Sequence, residues 1–409
     1  MYLNPAGELG GAENSLLGMV ASLRSAEPSW LLHVVAAADG PLPPRARALG
    51  ATTEVVPFDP PLARLGERGG GARSAGYLRL ATEIGLASSS ALSYAIRLRA
   101  SIRKFRPDVI HTNGLKMHLL GAWAAGTVPL VWHIHDYVGP RPMTSRLLRW
   151  HARRCAAAVA NSHSVAHDVR EAIGPRLEVV PIHNAVDLAR FRPEGLSADL
   201  DRLAALPPAP AGTMRVGLLG TFSWWKGHDT FLKAIAMLPR DMPVRAYVIG
   251  DAIYQTEASQ RSRDDLRSVA AALSIEDRVG FTGFVLQPET ALRALDIVVH
   301  ASTAPEPFGL VIAEAMACGR AVITSLTGGS SELVTPGVDA LAYTPGDATD
   351  LAAHIHALVT DADRRARLGR AARTAAERAF DQTRLASEII PVYQAAVRRH
   401  AGSSAISRP

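Results

Sequence analysis

Two glutamates, Glu306 and Glu314, are separated by seven residues in the segment APEPFGLVIAEAMACGRAVITSLTGGSSE, residues 304–332. Pro305 and Pro307 flank the first of them. A residue before proline is driven toward extended backbone, and proline has no donor, so Glu306 belongs to a loop and the helix begins at about Phe308 or Gly309. The first amides of that helix, those of Phe308, Gly309 and Leu310, lack intrahelical acceptors and sit at the positive end of the macrodipole. Such a mouth cradles an anion, phosphate above all. Glu314 falls about one and a half turns further in, where a carboxylate can accept hydrogen bonds from a diol such as a ribose. Taken singly, each acid is as well explained by capping and dipole compensation.

Other residues offer the same kind of chemistry. Lys226 closes the loop Gly220-Thr221-Phe-Ser-Trp-Trp-Lys226-Gly227, between the apolar strand Arg215–Leu219 and a helix. A lysine there is a candidate point charge for phosphate, although most loop lysines are simply solvated. Gly10 and Gly11 allow close backbone approach at the start of a helix over Asn14–Leu23. Strand ends of a parallel sheet are where ligands bind, and two are polar here: His111-Thr-Asn113 with Lys116 and His118, and His133-Ile-His135-Asp136. His133 and His135 are expected to alternate across the strand faces, which makes a shared metal improbable. Asp39 follows the second strand, where a dinucleotide-binding fold holds a ribose, but the preceding loop is not G-x-G-x-x-G.

Glu306-Pro-Phe-Gly-Leu-Val-Ile-Ala-Glu314, followed by Ala-Met-Ala-x-Gly and by Gly328-Gly329-x-x-Glu332, resembles the E-x7-E signature of the retaining glycosyltransferases of family 4 (GT4). The resemblance covers nearly the whole chain and is most specific in the second half. It implies a GT-B fold, two doubly wound Rossmann-like α/β domains facing a cleft, and transfer of a hexose-type sugar from a nucleotide-diphosphate sugar, UDP- or GDP-linked, to a hydroxyl of a glycan, glycolipid or small molecule. In that family the second glutamate binds the nucleotide ribose and the first sits beside the donor sugar. By the same resemblance Glu306, His135 and Lys226 are catalytic. Gly10, Gly11, Thr221, Lys226, Phe284, Val285 and the Phe308–Leu310 mouth hold the donor with Glu314, and Asn113, Lys116 and His118 lie on the acceptor side. Two departures stand out: His133 occupies a threonine position, and Thr221 occupies the arginine position of G-R-x-x-x-x-K-G, which removes one cation from the leaving group. No Asp-x-Asp dyad stands at a strand end, so no metal or other cofactor is expected. A nicotinamide oxidoreductase and a non-catalytic sugar-nucleotide-binding subunit are the alternatives.

The remaining sequence sets the scaffold. At 409 residues the chain exceeds one core, so two domains are expected, and alternation of strand and helix through both halves argues two α/β domains. The boundary is placed near residue 195, after His183-Asn-Ala-Val-Asp187, giving domains 1–195 and 196–409. Residues 196–213 are read as linker, and a last helix over Leu385–Arg398 crosses back to the first domain. Residues 41–76, rich in proline, glycine and arginine, read as loop. Because the first strand, Tyr2-Leu3, is short for a central one, a natural start upstream of Met1 is expected. The 2 cysteines, Cys155 and Cys318, fit small buried hydrophobes in a reducing cytoplasm. No run is long enough to span a bilayer. A net charge of +6 suits an anionic partner, and the arginines of the helix over Ser89–Phe105 read as a solvated face or a headgroup-docking surface on the inner face of the membrane. Nucleic acid is disfavoured, since no recognition motif interleaves aromatics with the basic residues. Nothing in the sequence marks an oligomeric state.

Overall fold

A computed structural model describes residues 1–64, 77–252 and 260–406. Residues 1–64, 77–185 and 382–406 form one compact unit, and Val186–Asp381 form the other.

The first unit is built on β1 Tyr2–Asn4, β2 His33–Ala36, β3 Thr52–Val55, β4 Ile110–Asn113, β5 Leu130–Ile134, β6 Ala157–Ala160 and β7 Val179–Pro181. They pair in the order β3-β2-β1-β4-β5-β6-β7, every pair parallel. The second unit repeats the plan with β8 Met214–Leu219, β9 Val244–Ile249, β10 Val279–Gly283, β11 Ile297–His300, β12 Ala321–Ser325 and β13 Leu341–Tyr343. Their order is β10-β9-β8-β11-β12-β13, again parallel throughout. Parallel strands buried on both faces need unbroken apolar runs, and Leu130-Val-Trp132, Ala157-Ala-Val-Ala160 and Ile297-Val-Val299 supply them, all fully or nearly fully buried. Each sheet reverses its winding between its first strand and the fourth one, so loops leaving β1 and β4, or β8 and β11, diverge to opposite faces and leave a crevice at the carboxyl edge.

Several boundaries differ from those read in the sequence. The division falls between Ala185 and Val186, ten residues before the expected boundary at 195. Residues 196–213 are part of the second unit, not a tether: Leu200 and Asp201 are buried, and Asp201 binds Arg245 at 2.6 Å and the Tyr247 hydroxyl at 2.6 Å. Its prolines suggested a linker because a buried aspartate anchor leaves no periodic trace. The carboxy-terminal helix Arg384–Ile406 belongs to the first unit. Its Leu385, Ile389, Val392 and Tyr393 complete one apolar cluster with Tyr2, Leu16, Val20 and Val34.

The stretch expected as loop from residue 41 is largely ordered into a helix Leu42–Ala48, the strand β3 and a helix Pro60–Arg64. Pro43 occupies the first turn of its helix, where a missing N–H costs nothing. The glycines Gly69–Gly71 lie outside the described residues.

Candidate active site

In the second unit the loops after β8 and β11 bring Lys226 and Glu306 together. Lys226 Nζ lies 2.9 and 2.7 Å from the two oxygens of Glu306. Ser302 Oγ donates to Glu306 Oε2 at 2.7 Å, and His300 Nε2 lies 3.3 Å from the same oxygen. Thr324 holds the other ring nitrogen of His300 at 3.0 Å. Burial alone would raise the Glu306 carboxyl, but the Lys226 charge and the His300 and Lys226 hydrogen bonds outweigh it and hold it well below the usual carboxylate range. Glu306 is therefore ionised and rigidly placed.

The chain forces this meeting. Gly227 has a left-handed backbone (φ 72°), and a Cβ there would stand 1.8 Å from the Ala301 carbonyl oxygen. Only glycine lets the lysine loop close on the end of β11, where the Thr303 amide also bonds the Trp225 carbonyl at 2.7 Å. On the other side Glu306 pairs as a single bridge with Gly328. Its amide donates to Thr327 O at 3.1 Å, and its carbonyl accepts from the Gly329 amide at 2.7 Å. The downstream Gly-Gly thus belongs to the glutamate's own mooring.

The helix mouth is as expected, with a shifted start. Helix Leu310–Ala317 is capped by Gly309 in left-handed conformation (φ 92°). The Gly309 and Leu310 amides have no backbone acceptor among the described residues. Phe308 is buried against Phe380 instead, with ring centroids 6.2 Å apart, so its side chain anchors the mouth. Glu314 is half-buried on this helix and its carboxylate has no hydrogen-bond partner among the described residues. Burial and the neighbouring Glu289 push it up to about 8 against the pull of Arg190. Phe284, which an ordinary core would hide, is 52% exposed at the exit of β10, while Val285 packs partly buried on the core. Thr221 Oγ1 lies 3.1 Å from Ser223 Oγ.

A second cation stands by this loop. Arg261 pairs with Asp229, lies over the Trp224 ring at 4.3 Å, and leaves its buried Nε without a partner among the described residues. Burial, then the charges of Lys226 and Arg261, pull the imidazole of His228 down to about 3, which places both cations near it.

In the first unit His135, Asn113 and Gly10 belong to one network. Asn113 Nδ2 donates to Asn4 Oδ1 at 2.7 Å and to the Ala12 carbonyl at 3.3 Å, which turns its Oδ1 toward His135 Nε2. His135 must therefore carry its proton on Nε2, and its Nδ1 is a buried acceptor with no partner among the described residues. Burial holds the ring down to about 3, so it is neutral. Asn4 continues to Glu13 at 3.2 Å, and Glu13 takes the Gly10 amide at 3.0 Å at the start of helix Gly11–Ala26. A Cβ on Gly11 would meet nothing within 4 Å, so the fold itself does not require glycine there.

Two expectations in this unit are corrected. His133 and His135 do not alternate across the strand: their rings lie 4.0 Å apart, because residues two apart in a strand share a face. His118 does not line an acceptor site. It is wholly buried, its ring stacks on Trp132 at 5.5 Å, and its Nδ1 meets Thr112 Oγ1 at 2.7 Å. Lys116 donates to the Ala63 carbonyl at 2.6 Å beside Phe58. A cavity of about 590 Å³ bordered by Trp30, Phe105, Val109, His111 and Tyr393 opens at the amino-terminal ends of the strands.

His300, Ser302 and Arg261 escaped the sequence reading. The signal for the first two was present, a polar His-Ala-Ser closing the apolar run Ile297–Val299 at the carboxyl end of a strand.

Two parallel sheets of this winding order, each with polar groups at its carboxyl edge, are the plan of the GT-B glycosyltransferases, whose solved structures this chain matches. Residues 208–375 match the family described as "Glycosyl transferases group 1", and residues 9–190 match "Glycosyltransferase Family 4". The chain is 32% identical to a Mycobacterium tuberculosis glycogen synthase over 72% of this chain and 70% of the relative. It is also 32% identical to a D-inositol 3-phosphate glycosyltransferase of Pseudarthrobacter chlorophenolicus, a match that spans 60% of this chain and 57% of that relative. Among solved structures, Anabaena Alr3699/HepE in complex with UDP and glucose superposes with a TM-score of 0.78 at 27% identity, covering 96% of this chain and 98% of that one. The chain belongs to glycosyltransferase family 4 and is an enzyme of the glycosyltransferase class, which removes the oxidoreductase alternative. No helix among the described residues is long and apolar enough to cross a membrane.

Proposed function

We propose that this enzyme transfers a hexose from UDP-hexose to a hydroxyl acceptor with retention of anomeric configuration and without a metal. The observation that carries the reading is the buried Lys226–Glu306 pair, held by Ser302 and His300 beside the Gly309–Leu310 amides. A departing diphosphate needs its growing charge met by preorganised donors. Lys226 has a third N–H beyond the two that Glu306 engages, and the helix mouth and Thr221 of the same unit add neutral donors. Arg261 offers a second cation where Thr221 offers none. Glu306 faces the positive charge that develops at the anomeric carbon; within the first unit His135 Nδ1, a buried acceptor with no partner among the described residues, suits a sugar hydroxyl. The C1–O(phosphate) bond breaks as the acceptor oxygen bonds to C1 on the same face, and the acceptor proton passes to the leaving phosphate. The Anabaena structures with UDP and with UDP-glucose support uridine as the base, with Phe284 and Val285 against it.

Release of the nucleoside diphosphate from each of a panel of UDP-, GDP-, ADP- and TDP-sugars, followed with and without EDTA, tests this. Turnover of a UDP-sugar that EDTA leaves nearly unchanged is expected. Activity abolished by chelator and restored by manganese would contradict the metal-free grip.

A pH dependence follows from Glu314. Its carboxyl is pushed up to about 8, so below that pH it is mostly protonated and a poorer acceptor for two ribose hydroxyls. Affinity for a UDP-sugar should rise about tenfold per pH unit on approach to 8 and level off above, with one proton released on binding. Calorimetric affinities that stay flat from neutral pH upward would remove Glu314 from the ribose.

A further inference from the structure

Helices Tyr77–Phe105, Leu115–Ala124 and Pro142–His151 pack side by side in one layer on the sheet of the first unit. The inner face of the third is ordinary core, with Ser145, Leu148 and His151 buried. Its outer face is not an ordinary surface. Met143, Leu147 and Trp150 are 73%, 46% and 63% exposed, and their spacing of four and three residues puts them in one stripe. Trp123 of the neighbouring helix, 40% exposed, donates to His151 at 2.5 Å and widens the patch.

The helix and its immediate flanks carry charge of one sign. Residues 141–154 contain Arg141, Arg146, Arg149, Arg153 and Arg154 and no aspartate or glutamate. Arg141 is neutralised by Asp136. Arg149 and Arg154 are held by the carbonyls of Ala172 and Ala122, neutral acceptors that fix the guanidiniums without cancelling their charge. Arg146 and Arg153 are exposed and have no partner among the described residues. In helix Tyr77–Phe105, the run that the sequence offered as a headgroup surface, Arg97 is paired with Asp59 at 2.9 Å, while Arg99, Arg103 and Lys104 are exposed.

We propose that helix Pro142–His151 is a membrane-surface anchor, seated in the headgroup region of an anionic bilayer with Met143, Leu147 and Trp150 among the acyl chains. An aromatic and aliphatic stripe bordered by unneutralised arginines is the pattern of a helix lying in that interface. A protein partner would need apolar complementarity but would not call for five arginines without one acid. The anchor also bears on the acceptor. The helix starts seven residues after His135, and the intervening loop is fixed by Asp168, which accepts the Val138 amide at 2.6 Å and the Gly139 amide at 3.0 Å. Seating the helix therefore holds the His135 strand end at the bilayer surface, where a lipid-borne hydroxyl acceptor arrives. This last step rests on the glycosyltransfer reading above.

Co-sedimentation with phosphatidylcholine vesicles, with and without phosphatidylglycerol, tests the anchor on the full chain. The wild-type enzyme is expected to bind anionic and not neutral vesicles. Leu147→Ser/Trp150→Ser and Arg146→Ser/Arg153→Ser should each weaken that binding about tenfold or more, while UDP-sugar hydrolysis in vesicle-free solution is unchanged and reports the fold. Equal binding to both vesicle types, undiminished binding by the variants, or a wild-type dimer that Trp150→Ser dissociates would overturn the proposal, the last by showing a second copy on the stripe. Intact UDP-sugar turnover without vesicle binding would overturn the anchor alone, and vesicle binding without turnover would overturn only the reaction.

Discussion

Lys226→Ala should cost roughly 2–4 kcal/mol of transition-state stabilisation, the magnitude associated with losing one preorganised group at developing charge. It should also destabilise the fold. Removing the lysine takes from Glu306, whose side chain is only 10% exposed, the cation that balances its charge, and breaking a buried pair costs about 3–5 kcal/mol. The two effects separate in the double variant Lys226→Ala/Glu306→Gln, which no longer buries a lone charge. That variant should recover most of the lost melting temperature and none of the lost kcat/KM. A folded Lys226→Ala enzyme within about a factor of two of wild type would place the phosphates elsewhere.

The glutamates of the opening motif should divide by kinetics. Glu314 lies inside helix Leu310–Ala317, and on the proposed role it holds the ribose equally in ground and transition states. Glu314→Ala should mainly raise the donor KM, so its defect fades at saturating donor. Glu306, fixed between its prolines and tied to Gly328 and Gly329, should act where charge develops. Glu306→Gln should lower kcat and kcat/KM together, and saturation should not rescue it. If both variants changed only KM, Glu306 would be a passive sugar contact. If Glu314→Ala lowered kcat with KM untouched, the division of roles would be wrong.

What was legible in the sequence was local. The prolines around Glu306, the glycine before the helix and the apolar run after it specify loop, helix and strand within a few residues of where they stand. Alternating strand and helix patterns disclose the fold class because both sheets are parallel and buried. Pairing at a distance was not legible. Lys226 and Glu306 are 80 residues apart, and the sequence alone points one to phosphate and the other to sugar with nothing that joins them. Their meeting depends on β8 lying beside β11 and on a left-handed Gly227 pressed against Ala301, neither of which has a sequence period. His118 misled for the same reason: a polar residue after a strand end can turn back into the core, and here Thr112 and Trp132 receive it.

The central claim, retaining transfer from a nucleotide sugar at the Lys226–Glu306 centre, is tested most directly by the anomeric proton of the first-formed sugar. With a high concentration of enzyme and an α-linked UDP-hexose, water replaces the acceptor, and proton NMR reads the product before it mutarotates. The α anomer is predicted to appear first in step with UDP, and Glu306→Gln should abolish both signals. A first-formed β anomer, or release unaffected by Glu306→Gln, would contradict the account.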